Sequence, residues 1–299
     1  MDMPHTPDVN AINDGTASRP RATGRGRRWL CAAALLGWIT AAQALTVSGS
    51  STIYPILDKL KAEYAQASAG DALKLSGGGS GKGMKDALSG ASDVGMASRD
   101  LSAEEQAKLK SKTIALDALA IVVHRSNPIA GLSKAQLVDI YSGKIDNWRA
   151  LGGPDLKIIR VSKEVGRSTL ELFEHYTGLA SPDHPNAGGK TQISKHAYII
   201  GANNEALTLV GGMPGAIGYV SFGTAEALQK AGMPVKILPL EQITPSTQTV
   251  LNRSYPIVRA LNLAWSQETP AVNALLGLIN GPKGRAVIES LGFVNLPQP

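Results

Sequence analysis

From Leu45 onward, short apolar runs rich in β-branched residues alternate with stretches of helical period, and glycine, serine and threonine fill the junctions. That alternation confines the chain to α/β architecture, with strands joined through helices in largely parallel sheets. The pattern predicts strands at 45–48, 72–76, 94–97, 118–123, 158–162, 217–220 and 235–238. A helix over 56–66 would place Ile56, Leu57, Leu60 and Tyr64 on one face. A second, over 134–142, has Ser133 as cap, Gln136 three residues on and Gly143 at its stop, which is a capping-box pattern. Residues 169–177 repeat the device with Ser168, Glu171 and Gly178, and two proline-started helices, 271–280 and 283–291, close the chain.

The first 44 residues read differently. A polar stretch without apolar period ends in Arg25, Arg27 and Arg28, followed by an uncharged run from Trp29 to Ala42 and then Ala42-Gln43-Ala44. A basic flank, a short apolar run and an A-x-A end describe a secretory signal, cleaved after Ala44. The run has 14 residues, whereas a membrane helix needs roughly 20. Cys31, the only cysteine, lies inside this signal and lacks the small residues of a lipoprotein cleavage box before it. Export without disulfides fits a bacterial periplasm.

Residues 45–299 are enough for one large domain or two ordinary lobes. They carry 25 Lys/Arg against 21 Asp/Glu, with no block of like charge and few aromatic residues. A nucleic-acid binder would concentrate its charge and interleave it with stacking rings, so no nucleic-acid partner is expected. A mild positive balance suits an anionic ligand.

Three loops share one design: each follows a strand, is rich in Gly, Ser or Thr, and opens a helix. They are residues 49–55 (GSSTIYP), 77–83 (GGGSGKG) and 163–169 (KEVGRST). A helix N-terminus leaves unpaired N–H groups and about half a positive charge, so an oxyanion docks there without a dedicated counter-ion. Glycine lets the backbone approach and hydroxyls add donors. Arg167 could grip two oxygens at once. Any one such loop alone reads as an ordinary helix cap, and Arg167 alone is equally a solvated charge.

Other readings of the glycine loop fail on spacing. A P-loop needs G-x-x-x-x-G-K-[ST], but Ser76 stands at its first position and Gly83 at its last. The hydrolase elbow G-x-S-x-G would need glycine where Lys82 stands. His124, His175, His184 and His196 are scattered without ligand spacing, so neither a metal site nor a cofactor is expected.

Taken together, several segments resemble the periplasmic phosphate-binding proteins of ABC importers. These are residues 48–55 (SGSSTIYP), 77–102 (GGGSGKGMKDALSGASDVGMASRDLS), 115–124 (ALDALAIVVH), 137–153 (LVDIYSGKIDNWRALGG), 166–178 (GRSTLELFEHYTG) and 214–221 (PGAIGYVS), in the family's order. The resemblance implies a two-lobed type II periplasmic binding-protein fold, each lobe a mixed sheet flanked by helices, with a two-crossover hinge. Lobe I would be 45–122 with 216–299, and lobe II 123–215. It further implies capture of inorganic phosphate in the interlobe cleft, delivery to a membrane ABC permease, no chemistry, and a monomer.

By position, the resemblance assigns ligand contacts to Ser51 and Thr52 in the first loop, Ser80 in the second, Ser98 in the turn after the third strand, and Gly166, Arg167, Ser168 and Thr169 in lobe II. Many relatives carry R-x-x-G-S-G-T where this chain has residues 163–169, so the ligand's cation is Lys163 or Arg167. Some relatives place an aspartate where Ser98 stands, to accept the proton of hydrogen phosphate. Asp117 or Glu164 could replace it, although Asp117 is equally a polar residue at a strand edge. Another oxyanion, such as sulfate or molybdate, is the alternative ligand. Two other functions compete: an exported phosphate-ester hydrolase, for which Ser80 with Lys82 is the best available pair, and a phosphate sensor without a transporter.

Overall fold

The computed structural model describes residues 44–68, 70–184, 188–189 and 191–297. The expected signal, with Cys31, lies outside the described residues apart from Ala44. Nine strands are present among the described residues: β1 (Leu45–Gly49), β2 (Leu73–Ser76), β3 (Val94–Ala97), β4 (Lys110–His124), β5 (Ile159–Lys163), β6 (Tyr198–Ile200), β7 (Ala216–Ser221), β8 (Val235–Leu238) and β9 (Val258–Trp265). Between them run α1 (Tyr54–Lys59), α2 (Lys61–Ala67), α3 (Ser80–Ser89), α4 (Ala103–Lys108), α5 (Lys134–Ser142), α6 (Ser168–Thr177), α7 (Asn203–Gly212), α8 (Phe222–Lys230), α9 (Thr247–Leu251), α10 (Pro270–Asn280) and α11 (Pro282–Ser290). No described helix is long and apolar enough to cross a membrane.

Local chemistry explains several of these bounds. Helix α5 starts and stops where expected: Ser133 and Gln136 form the capping box, and Gly143 closes the helix at φ 88°. The anticipated 56–66 helix is broken at Leu60 into α1 and α2, although Ile56, Leu57, Leu60 and Tyr64 are all buried as one face. Helix α6 departs from expectation at its start. Its cap is Arg167, no side chain caps it, and Ser168 is already helical. Ser168 instead bonds Ser98 and Glu171 pairs with Arg99.

The strands hydrogen-bond in the order β2-β1-β3-β9-β4-β7-β5-β6, with β8 also on β4. Parallel pairing, expected to predominate, holds for β1 with β2 and β3, and for β5 with β6 and β7. The other pairs are antiparallel: β9 with β3 and β4, and β4 with β7 and β8. The reason lies in β4, which is 15 residues long where a six-residue strand was expected. Its first part, residues 110–118, lies against β9, while 119–123 pair with β7 and 121–124 with β8. One strand thus leaves the first group and enters the second, and β9 runs antiparallel beside it.

By pairing, the strands that follow Ala216 stay with the second group until β9. Both β7 and β8 bond to the far half of β4, and Ile217, Tyr219 and Leu238 pack with Leu119, Ile121 and Val123. Only from β9 does the chain rejoin the first group, where Leu261, Leu263 and Trp265 pack with Val47, Ile56 and Leu57. Each group carries its own core. One lies between the first strands and α1, α2, α10 and α11, with a smaller cluster of Met84, Ala87, Ala97, Leu101, Leu109 and Ala264 against α3. The other covers both faces of the second group, since Ile217 and Tyr219 point to one layer and Ala216 and Val220 to the other.

Candidate functional site

The two halves meet at a cluster of buried hydroxyls. Ser50, Thr52, Ser80, Ser98 and Ser168 are all buried, although each is polar. A buried hydroxyl requires a partner, and here the partners are one another. Ser50 Oγ donates to Ser98 Oγ at 2.9 Å and itself accepts from the Thr52 and Ile53 amides. Ser80 Oγ lies 3.5 Å from Ser98 Oγ and accepts the Ser98 amide at 3.0 Å. From the other half, Ser168 Oγ at the start of α6 lies 2.5 Å from Ser98 Oγ. Ser98 is therefore the hub, joined to both other loops of its own half and to the facing helix.

Arg259 on β9 supplies the charge. Its Nη2 donates to Thr52 Oγ1 at 3.1 Å and its Nη1 to Ser98 Oγ at 3.5 Å. Behind it stands Asp117, its cross-strand register partner on β4. Arg259 Nε and Nη2 donate to Asp117 Oδ2 at 3.0 and 2.7 Å, and the Gly223 amide donates to Oδ1 at 3.1 Å. The pair has no exposed side-chain surface. Asn203, at the start of α7, completes the ring by donating Nδ2 to Thr52 Oγ1 at 3.0 Å.

The backbone closes the same gap. Gly166, at φ 87°, offers its carbonyl to the Gly81 amide at 3.2 Å, so the second and third loops touch directly. A Cβ at Gly79 would stand 2.7 Å from the Gly166 oxygen, which is why glycine is required there. Beside the hydroxyls, Arg99 ties the halves by charge: it holds Glu105 with Nη1 and Nη2 at 2.7 and 2.8 Å, and Glu171 of α6 with Nε at 2.7 Å. Burial pushes the Glu105 carboxyl up, but Arg99 and Ser102 outweigh it and hold the group below its usual range. For Glu171, burial wins over Arg99 and the carboxyl is raised.

The residues singled out from sequence divide accordingly. Thr52, Ser80, Ser98 and Ser168 are brought together. Ser51, between Ser50 and Thr52, and Thr169, next to Ser168, do not join the bonded cluster. Arg167 turns to Glu164, with Nη2 2.7 Å and Nε 3.1 Å from the same carboxylate oxygen. Lys163 is buried with Nζ on the Ala202 carbonyl at 2.6 Å. Burial, aided by Arg167 and Arg259, lowers its amine to about 7 despite Glu205 and Glu164. Neither expected cation is bonded to the hydroxyls; Arg259 is. Asp117 is no strand-edge residue, and both its oxygens are engaged by Arg259 and Gly223 rather than turned to the cleft. Lys82 pairs with Asp86.

Ser50, Asn203 and Arg259 were missed. Arg259 carried a signal, because it is a lone charge in the apolar run 257–265, as Asp117 is in 114–123. The aromatic support of α6 was also hidden. Phe173 stacks on Tyr219 of β7 with centroids 4.0 Å apart, and Tyr219 OH bonds Ser162 Oγ at 2.7 Å. That stack fixes the helix whose first turn carries Ser168.

Comparison with known proteins agrees with this architecture. The family model for the PBP superfamily domain matches residues 20–280. The phosphate-binding protein PstS of Bacillus subtilis (strain 168) is 30% identical over 222 residues, covering 73% of this chain and 68% of the relative. PstS of Borreliella burgdorferi is 24% identical over 255 residues, covering 84% of this chain and 90% of the relative. The crystal structure, with bound phosphate, of a Clostridium perfringens protein assigned as a phosphate ABC transporter substrate-binding protein superposes with a TM-score of 0.76 at 28% identity, over 85% of this chain and 100% of the other. Two α/β halves joined by β4 and β9, matched over most of their length, place this chain in the PBP superfamily with the type II fold, among the phosphate-binding proteins PstS.

Proposed function

We propose that the protein captures inorganic phosphate between its two halves and delivers it to a membrane ABC permease, as an exported monomer that does not turn its ligand over. The observation that carries this reading is the convergence of five buried hydroxyls and one guanidinium from both halves on a single point. A tetrahedral oxyanion would take these groups as donors in place of one another. Ser50, Thr52, Ser80, Ser98, Ser168 and Arg259 are the proposed contacts. Asp117 holds the guanidinium in place, and Asn203 orients Thr52.

Because the hydroxyls are buried, an ion reaches them only when the halves part. In this reading the hinge is the β4–β9 ladder, with residues 45–117 and 259–299 as one lobe and 118–258 as the other; the antiparallel pairing of β4 with β9 supports it. Closure then brings Ser168 and Gly166 onto Ser98 and Gly81. The basic-flanked apolar run before Ala44 supports export. The engagement of Lys82 by Asp86, and of Ser80 by Ser98, favours a binder over a hydrolase, since a nucleophilic hydroxyl needs a base positioned against it.

Calorimetric titration of the protein, stripped of anion by unfolding and refolding, tests the reading. One-to-one binding of phosphate without release of product from a phosphate ester is expected. No binding of phosphate, or ester turnover lost on Ser80→Ala, would overturn it.

A further inference from the structure

We infer that a second cavity, between the C-terminal segment and the start of β4, is a binding site for an organic anion with an apolar body, of the medium-chain carboxylate class. The cavity measures about 560 Å³ and shares no residue with the hydroxyl cluster. Residues 112–114 of β4, the end of α10, α11 and residues 295–297 line it. Its size is that of a small-molecule site, where an apolar lining surrounds a few polar groups.

The walls are fixed rather than loose. Leu116 and Val294 exchange backbone hydrogen bonds of 2.8 and 3.0 Å, which ties the C-terminal segment to β4. Arg285 Nη1 donates to the Leu296 carbonyl at 3.1 Å, and Asn295 Nδ2 donates to the Arg285 carbonyl at 3.0 Å, which ties it to α11. On the sheet side the β4–β9 register shifts between Thr113 and Ala115, and such an irregularity re-aims a side chain out of strict alternation. Ile114, Ile279 and Ile288 are buried and supply the apolar lining.

The charge is one-sided. Lys112 and Arg285 line the cavity, and no acidic residue does among the described residues. Lys110, two positions earlier, pairs with Glu268, whereas neither Lys112 nor Arg285 has a carboxylate partner among the described residues. The Arg285 guanidinium spends only Nη1, on the Leu296 carbonyl, and its planar fork matches a carboxylate. An inorganic ion would satisfy these cations and leave the isoleucines in contact with water. A carboxylate on a hydrocarbon chain meets both demands, the charge by Lys112 and Arg285 and the chain by burial of apolar surface.

Calorimetric titration of the protein with octanoate, alone and after one equivalent of phosphate, tests the assignment. One-to-one binding with a Kd below about 1 mM is expected in both cases. Acetate, which lacks the chain, and octanol, which lacks the charge, are each expected to bind weaker by about tenfold or more. Lys112 is exposed and its side chain has no partner among the described residues, so Lys112→Gln leaves the fold intact. That variant is expected to weaken octanoate by about fivefold or more, as is Arg285→Gln. If Arg285→Gln loosens the C-terminal segment, Lys112→Gln decides alone. No octanoate binding, or an unchanged Kd in Lys112→Gln, overturns the inference. So does loss of octanoate binding on adding phosphate, which would place the carboxylate in the hydroxyl cluster. Acetate or octanol binding as tightly as octanoate would overturn the ligand class.

Discussion

Arg259 directs two of its nitrogens, Nε and Nη2, at one carboxylate oxygen of Asp117, and these two residues are direct cross-strand partners on β9 and β4. The pair therefore sits on the two strands that join the halves, and the guanidinium that remains beyond the carboxylate points at Thr52 and Ser98. A buried ion pair broken by removal of one partner costs about 3–5 kcal/mol, because the other charge is left uncompensated. Asp117→Asn is expected to lower the unfolding free energy by an amount of that order, measured by urea denaturation. The double replacement Asp117→Leu with Arg259→Met should recover much of that stability, since an apolar pair of similar volume is tolerated. It should not recover anion binding. Recovery of both would remove Arg259 from the site.

Arg99 and Glu171 form a contact between the halves that touches none of the clustered hydroxyls. Arg99 follows Ser98 in the chain, and Glu171 lies one helical turn beyond Ser168, so the ion pair runs beside the Ser98–Ser168 contact. Glu171→Gln should weaken closure without altering the ligand contacts. With the pair partly exposed, a loss of about 1 kcal/mol is expected, or roughly fivefold in Kd. Stopped-flow measurements should place the change in the dissociation rate, with association nearly unaltered.

Lys163 sets a pH dependence of stability. Burial holds its amine at about 7 in the folded chain, below the ordinary 10.5. Between those two values the unfolded chain binds more protons, so this residue makes stability rise with pH across that window. Below about 7 the amine is charged in both states and its burial cost is fully present. Lys163→Met should flatten the rise between pH 7 and 10 relative to wild type, read from urea midpoints at matched pH. An identical slope in the variant would assign the dependence to other groups.

Two glycines of the second loop and its helix should respond in opposite ways. At Gly83 a Cβ would stand 2.6 Å from the Ser48 oxygen and 2.7 Å from Gly49 Cα, so α3 would have to move off β1. Gly83→Ala is expected to cost about 1–3 kcal/mol by overpacking and to weaken anion binding by shifting Ser80. Nothing lies within 4 Å of a Cβ at Gly77, whose φ is not positive. Gly77→Ala should leave stability unchanged or raise it by about 0.4–1 kcal/mol through the unfolded state. Thermal unfolding of the two variants side by side checks both.

Local signals in the sequence determined much of this protein. Alternating apolar runs located β3 and β8 to the residue, and the Ser133, Gln136 and Gly143 pattern located α5, because these depend on side chains and backbone only a few residues apart. The glycine and hydroxyl loops were marked for the same reason, and the resemblance to a family picked Thr52, Ser80 and Ser168 out of them. The resemblance to a family added Ser98 and the two-lobed arrangement. Tertiary structure alone decided the rest. β9 was missed because Arg259 and Asn262 interrupt its apolar run, and their burial is tolerated only once Asp117, Thr113 and the Arg99 carbonyl come to meet them from distant parts of the chain. The cation bonded to the hydroxyl cluster, Arg259, is likewise not one of the two expected from the third loop. Lys163 and Arg167 stand in the right loop, but a long side chain goes to whichever partner the fold presents: the Ala202 carbonyl for one and Glu164 for the other. Sequence proximity fixes which groups are available, whereas the direction in which a buried charge points is settled by the elements packed around it.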